Sequence, residues 1–85
     1  MDRLDAMTAF VAVAELRGFA PAARRLRLPP PKVTRLVAAL EAHLAIRLLH
    51  RTTRAVGLTD AGARYLERAR RILGEVADAE ANARA

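Results

Sequence analysis

Apolar positions recur along the chain in separate runs, each with its own rhythm. Leu4, Met7, Phe10, Val11 and Ala14 share one helical face behind Asp2, a residue type suited to capping a helix N-terminus, and Asp5 adds negative charge at that positive end. Ala22, Ala23 and Leu26 make a second, shorter stripe, and Val33, Val37, Leu40 and Leu44 make a third. Arg17 and Gly18 close the first helix, Phe19 is placed to plug the core at the corner, and Leu28 anchors the next turn. From Ile46 to Thr59 the period changes, with apolar and β-favouring residues on both sides of a polar tip, Arg51-Thr52-Thr53-Arg54, which predicts a hairpin. Thr59 and Asp60 then open a long helix of about 25 residues, the hydroxyl as N-cap and the carboxylate against the helix dipole.

The stretch Phe19 to Glu41 therefore reads as two short helices joined by a tight connection, a helix-turn-helix with basic residues on its outside. Pro21 suits the first turn of the second helix. Pro31 suits the first position of the third, with Pro30 or Pro29 just outside it, so the triple proline sets the direction of approach of that helix. Neither Ala20 nor Pro29 has a side chain that accepts a capping hydrogen bond, a loss of about 0.5–2 kcal/mol that packing has to offset.

On a helical projection of the third helix, Val33, Val37 and Leu40 face inward, while Pro31, Thr34, Arg35 and Ala38 face outward with Lys32 on the flank. That outward row is small and cationic, as a helix lying against base edges requires. Arg35 has the fork to bind guanine O6 and N7 bidentately, and Thr34 can reach a base or a phosphate. Leu36 sits at the boundary, either in the core or against a thymine methyl. At the hairpin tip, Arg51 and Arg54 suit phosphates or a minor groove, and Thr52 and Thr53 can donate to phosphate oxygens. The bland reading of the tip is a solvated turn.

In the final helix Tyr65, Ala69, Ile72, Val76, Ala79 and Ala83 recur at spacings of four and three, with Leu66 and Leu73 beside them. This is the pattern of a coiled-coil seam. A helix that long outruns a domain this small, so the seam calls for a partner, and a second copy of the chain is the economical one.

Charge supports the same picture. The net charge is +6, but residues 17–71 hold 13 basic and 3 acidic side chains between two acidic ends, the footprint of a polyanion binder. With 85 residues and 53% apolar composition there is material for one small core and not two. The absence of cysteine removes disulfides and thiolate metal sites. No apolar run is long enough to span a bilayer and no leader pattern is visible, so a cytoplasmic location is expected. His43 and His50 match no zinc spacing, Asp60 and Glu67 form no evident acid-base pair, and Gly57 and Gly62 form no phosphate loop. No catalytic group, metal or cofactor is expected. Two other classes remain open: a helical dimerisation module whose charge is only solubilising, and a basic amphipathic surface for anionic membrane, the latter disfavoured by the lack of tryptophan.

The order of these elements resembles the DNA-binding region of LysR-type bacterial transcriptional regulators over nearly the whole chain. The residues that carry the resemblance are Phe19 with Ala22-Ala23-Arg24-Arg25-Leu26, Val33-Thr34-Arg35, Ala39-Leu40-Glu41, Arg47-Leu48-Leu49, Arg51-Thr52-Thr53-Arg54 and Leu58-Thr59-Asp60-Ala61-Gly62. The resemblance implies a mainly α fold, a winged helix-turn-helix of three helices and a β-hairpin wing over residues 1–59, followed by a linker and dimerisation helix over residues 60–85. It implies sequence-specific double-stranded DNA binding as a homodimer. Helix three would contact the major groove through Pro30, Pro31, Lys32, Thr34 and Arg35, and the wing would contact the minor groove through Arg51, Thr52, Thr53 and Arg54. Pairing would run through Tyr65, Ala69, Ile72, Val76, Ala79 and Ala83. Ala20 and Pro29 stand where the family favours serine or threonine, Arg27 where glycine is frequent, and Leu36 where glutamine is frequent. Members of the family carry a C-terminal domain for a small-molecule inducer; nothing in this sequence resembles it, and a fragment is expected.

Overall fold

A computed structural model describes residues 1–52 and 55–85; the expectations for Thr53 and Arg54 lie outside the described residues. Three helices, α1 (Arg3–Leu16), α2 (Phe19–Leu26) and α3 (Pro30–Leu44), precede a hairpin of β1 (Leu49–Arg51) and β2 (Val56–Leu58), and α4 (Asp60–Arg84) closes the chain. The strands are antiparallel, pairing Leu49 with Leu58, His50 with Gly57 and Arg51 with Val56. The molecule measures 46 × 26 × 21 Å. Its long axis reflects α4, which at 25 residues is about 37 Å long.

The central helix is α1, packed on α2, α3 and α4 at once. Its buried residues are Ala6, Met7, Ala9, Phe10, Ala12 and Val13, a broader set than the single stripe expected from Leu4, Met7, Phe10, Val11 and Ala14. Leu4 is 42% exposed, and Val11 and Ala14 lie at the margin. Because three helices surround α1, small alanines are needed on the added sides for close approach, and a one-faced projection misplaces them. Phe10 is fully buried and meets Tyr65 of α4 edge-on, ring centroids 5.4 Å apart. Val33, Val37 and Leu40 of α3 and Leu48 and Leu49 of the wing complete the core. Leu44, expected to extend the α3 stripe, is 38% exposed, since the chain leaves the core one residue later.

The helix ends explain the short connections. All three ends use a left-handed residue that is not glycine: Arg17, Arg27 and Ala45, with φ of 57°, 56° and 56°. In each case the following amide reaches back five residues: Gly18 N–H donates to the Val13 carbonyl (3.2 Å), Leu28 N–H to Ala23 (3.0 Å) and Ile46 N–H to Glu41 (3.2 Å). Gly18 is extended, with Arg17 taking the strained position before it. Gly18, not Ala20, is the N-cap of α2.

A left-handed alanine carries about 1–2 kcal/mol of strain, against which a glycine loses about 0.4–1 kcal/mol in unfolded-state entropy. Ala45→Gly is therefore expected to stabilise the fold by about 0.5–1 kcal/mol, read as a raised urea midpoint at unchanged slope.

α3 starts one residue earlier than expected, at Pro30, with Pro29 as N-cap. The missing capping side chain matters little here. Pro30 and Pro31 have no N–H to satisfy, and the next two amides, of Lys32 and Val33, both donate to the Pro29 carbonyl (3.0 and 3.4 Å).

The wing is bolted to α4 at Thr59. Its hydroxyl accepts from the Gly62 amide (2.9 Å), as expected of an N-cap, and also donates to the Arg47 carbonyl (2.8 Å), while its amide donates to the Leu48 carbonyl (3.0 Å). That Leu48 carbonyl lies directly against Gly62, whose missing side chain is what lets the wing base and α4 meet.

Candidate nucleic-acid interface

The outward row of α3 stands as its sequence periodicity requires. Pro30, Pro31, Lys32, Thr34, Arg35 and Ala38 are exposed, while Val33, Val37 and Leu40 on the opposite side are buried. Leu36 is half-buried and packs against the core. Among the described residues, no carboxylate forms an ion pair with Lys32 or Arg35, so both cations face solvent available to an external anion. The Thr34 hydroxyl donates back to the Pro30 carbonyl (3.2 Å). With that proton engaged, what Thr34 offers outward is an acceptor oxygen and a methyl group.

The start of α3 presents no amide cradle for a phosphate. Its first two residues lack N–H groups and the next two amides are bonded to Pro29, so an anion near this end is left to side chains, Lys32 foremost.

Arg51 ends β1 beside the turn, paired with Val56, but its side chain is held against the helices and is not free in solvent. Its guanidinium lies 5.0 Å from the centroid of the Phe19 ring and 3.4 Å from Glu41 Oε1. Glu41 is 9% exposed, and its other oxygen accepts from the amides of Leu48 (2.8 Å) and Leu49 (3.2 Å). One carboxylate thus ties the end of the outward-facing helix to the first strand of the wing. Glu41 is the residue that sequence reasoning missed. The signal was its position four after Val37, on the inward face, as an acidic residue inside the basic stretch. Thr52 closes the turn: its hydroxyl donates to the Ala55 carbonyl (3.1 Å) and accepts from the Ala55 amide (3.0 Å).

The seam expected on α4 divides in two. Tyr65 packs against Phe10 and Ala69 is fully buried, so both serve the chain's own core together with Gly62 and Leu66. The first turns of α4 thus share the core of residues 1–59. Burial pushes the Tyr65 hydroxyl pKa up, against a smaller pull from Arg3. Beyond Ala69, Ile72 is 43% exposed, Val76 is half-buried and Ala79 and Ala83 are exposed. Glu15 of α1 braces this helix, accepting from Arg25 of α2 (2.8 Å) and Arg70 of α4 (2.9 Å). Those two hydrogen bonds, Arg25 first, hold its carboxyl pKa below the ordinary value. Arg25 and Arg70 are therefore fold contacts, and Arg71 pairs with Glu67 one turn away (3.7 Å).

No described helix is long and apolar enough to cross a membrane. The sequence profile of the bacterial regulatory helix-turn-helix proteins of the lysR family matches residues 4–63. The chain belongs to the lysR family. An HTH-type transcriptional repressor of Pseudomonas aeruginosa (strain UCBPP-PA14) is 43% identical over 84 residues, 99% of this chain and 26% of the repressor. This lysR-family chain thus spans about a quarter of that relative's length. Two solved structures of DNA complexes superpose closely: the BenM DNA-binding domain on catB site 1 DNA (TM-score 0.93, 32% identity, 96% of this chain and 91% of that one) and the CbnR DNA-binding domain (TM-score 0.90, 41% identity, 96% and 94%). The fold is accordingly the winged helix-turn-helix of lysR-family DNA-binding domains.

Proposed function

We propose that this chain is the operator-recognition part of a bacterial transcriptional regulator, binding double-stranded DNA sequence-specifically as a homodimer. It works by binding alone, without catalysis, in the cytoplasm where the chromosome lies. The observation that carries the reading is the row of Lys32, Thr34 and Arg35, exposed together on a helix whose other side is buried. α3 enters the major groove with Arg35 reading a guanine edge, Lys32 on a phosphate and Thr34 presenting its methyl and acceptor oxygen to a base edge. Pro30 and Pro31, rigid and without N–H groups, allow close approach of the helix start. The wing, through Arg51 and the turn that Thr52 closes, lies along the neighbouring minor groove and phosphates, and Thr53 and Arg54 extend that contact.

The homodimer forms through Ile72, Val76, Ala79 and Ala83 of α4, which the chain's own core leaves exposed or, for Val76, half-covered, with Tyr65 and Ala69 anchoring the helix to that core. A two-fold dimer reads an inverted repeat. An inducer response belongs to parts of such a regulator outside these residues.

Selection from a random duplex library is expected to enrich one palindrome. On that duplex, log affinity should fall with log salt at about −0.9 per phosphate neutralised. Arg35→Ala is expected to lose about 1–3 kcal/mol on the selected duplex and to relax preference at one base pair, with little change on random DNA. Equal loss on both duplexes would remove Arg35 as a base reader, and no enriched sequence would remove the function.

A further inference from the structure

Glu41 is an anion in a protein that is proposed to bind an anion, and it sits beside one of the cations proposed to do the binding. Charge alone makes it a liability, since a carboxylate near a phosphate groove lowers the local positive potential. Its geometry points the other way. Oε2 accepts the amides of Leu48 and Leu49 where β1 begins, and Oε1 faces the Arg51 guanidinium, which also rests on the Phe19 ring at the start of α2. Three elements thereby meet at one guanidinium: α3 supplies Glu41, α2 supplies Phe19 and the wing supplies Arg51. The arginine is still partly exposed, at 36% of its side-chain surface, so the group is steered and not buried.

Resting on the DNA-binding reading above, we infer that Glu41 is a positioning residue for DNA recognition: with Phe19 it fixes the direction of the Arg51 guanidinium, and so the placement of the wing contact relative to the α3 row. An arginine side chain carries large rotamer entropy, and holding it beforehand removes that loss from the binding step. The carboxylate's repulsion of DNA is the smaller effect because one ion pair with Arg51 already neutralises it locally.

Glu41→Gln separates the two effects. The amide oxygen can still accept from Leu48 and Leu49, but the attraction for Arg51 is gone. Loss of an anion alone predicts tighter DNA binding; loss of positioning predicts weaker. The expected result is about 5- to 100-fold weaker affinity of the dimer for the selected duplex, the scale of two freed rotamer-rich side chains, one in each half-site. Arg51→Ala is expected to weaken the wild-type dimer and to make its salt slope shallower by about 1.8, one phosphate for each of the two copies of Arg51, yet to add no more than about 2-fold in the Glu41→Gln background. Base preference at the Arg35 position should be the same in wild type and Glu41→Gln, and a thermal melt checks that the variant is folded.

Should Glu41→Gln not fold, Phe19→Leu takes its place, removing the ring while keeping an apolar side chain, with the same weakening and non-additivity expected. Unchanged or tighter binding by the folded variant overturns the inference, as does an Arg51→Ala effect that is absent in wild type or equal in both backgrounds. Failure of the wild-type chain to bind any duplex is a different result: it removes the DNA-binding reading itself.

Discussion

Gly62→Ala is expected to destabilise the fold by about 2–4 kcal/mol, because the new methyl would overlap the Leu48 carbonyl with no room to move aside. The Leu48 carbonyl carbon would lie 2.9 Å away and the Leu58 side chain 3.2 Å, so the backbone leading into the wing would have to shift and the Leu58 side chain to give slightly. The Leu48 carbonyl also accepts the Thr59 amide, and displacing it loosens the N-cap of α4. Gly74 on the same helix is the internal control. A methyl there meets nothing within 4 Å, so Gly74→Ala is expected to stabilise by about 0.5–1 kcal/mol through helix propensity alone. Denaturation of the two variants side by side gives opposite signs if the close approach is real. Equal, favourable shifts would mean that α4 and the wing base are not in contact.

Glu41→Ala is expected to lose about 2–4 kcal/mol, for a different reason. Two amides at the start of β1, of Leu48 and Leu49, would lose their acceptor among buried neighbours, and each buried unsatisfied donor costs about 1–3 kcal/mol. The released Arg51 is partly exposed and regains water, so it adds little to the loss. Hydrogen exchange localises the effect: the Leu48 and Leu49 amides should lose protection by a larger factor than the amides of α1. A uniform loss across the domain would point to global destabilisation without the specific knot.

Much of this architecture is legible in the sequence because it rests on local rules. The period of three and four that separates Val33, Val37 and Leu40 from Lys32, Thr34 and Arg35 needs no knowledge of the fold, only that a helix has one dry side. The same holds for Thr59 as N-cap and for the hairpin expected between Ile46 and Thr59, whose strands pair Leu49 with Leu58. The start of α3 was less legible. Prolines read as an absence of capping, yet they also remove the donors that a cap would serve.

What failed did so where a residue's neighbour comes from far along the chain. Tyr65 and Ala69 belong to a heptad-like seam whether their partner is a second copy or α1 of the same chain, and only the position of α1 assigns them to the latter.

The sequence by itself determined the order of helices and hairpin, the exposed cationic row of α3 and the basic middle of the chain, all of which follow from residue type and short-range spacing. The tertiary structure alone decided that Glu41 faces Arg51 and the amides of β1, that Gly62 lies on the Leu48 carbonyl, and how α4 is shared between the core and solvent. These depend on how far apart packed elements sit, a distance set by side-chain volumes on several segments at once and written in no single stretch of sequence.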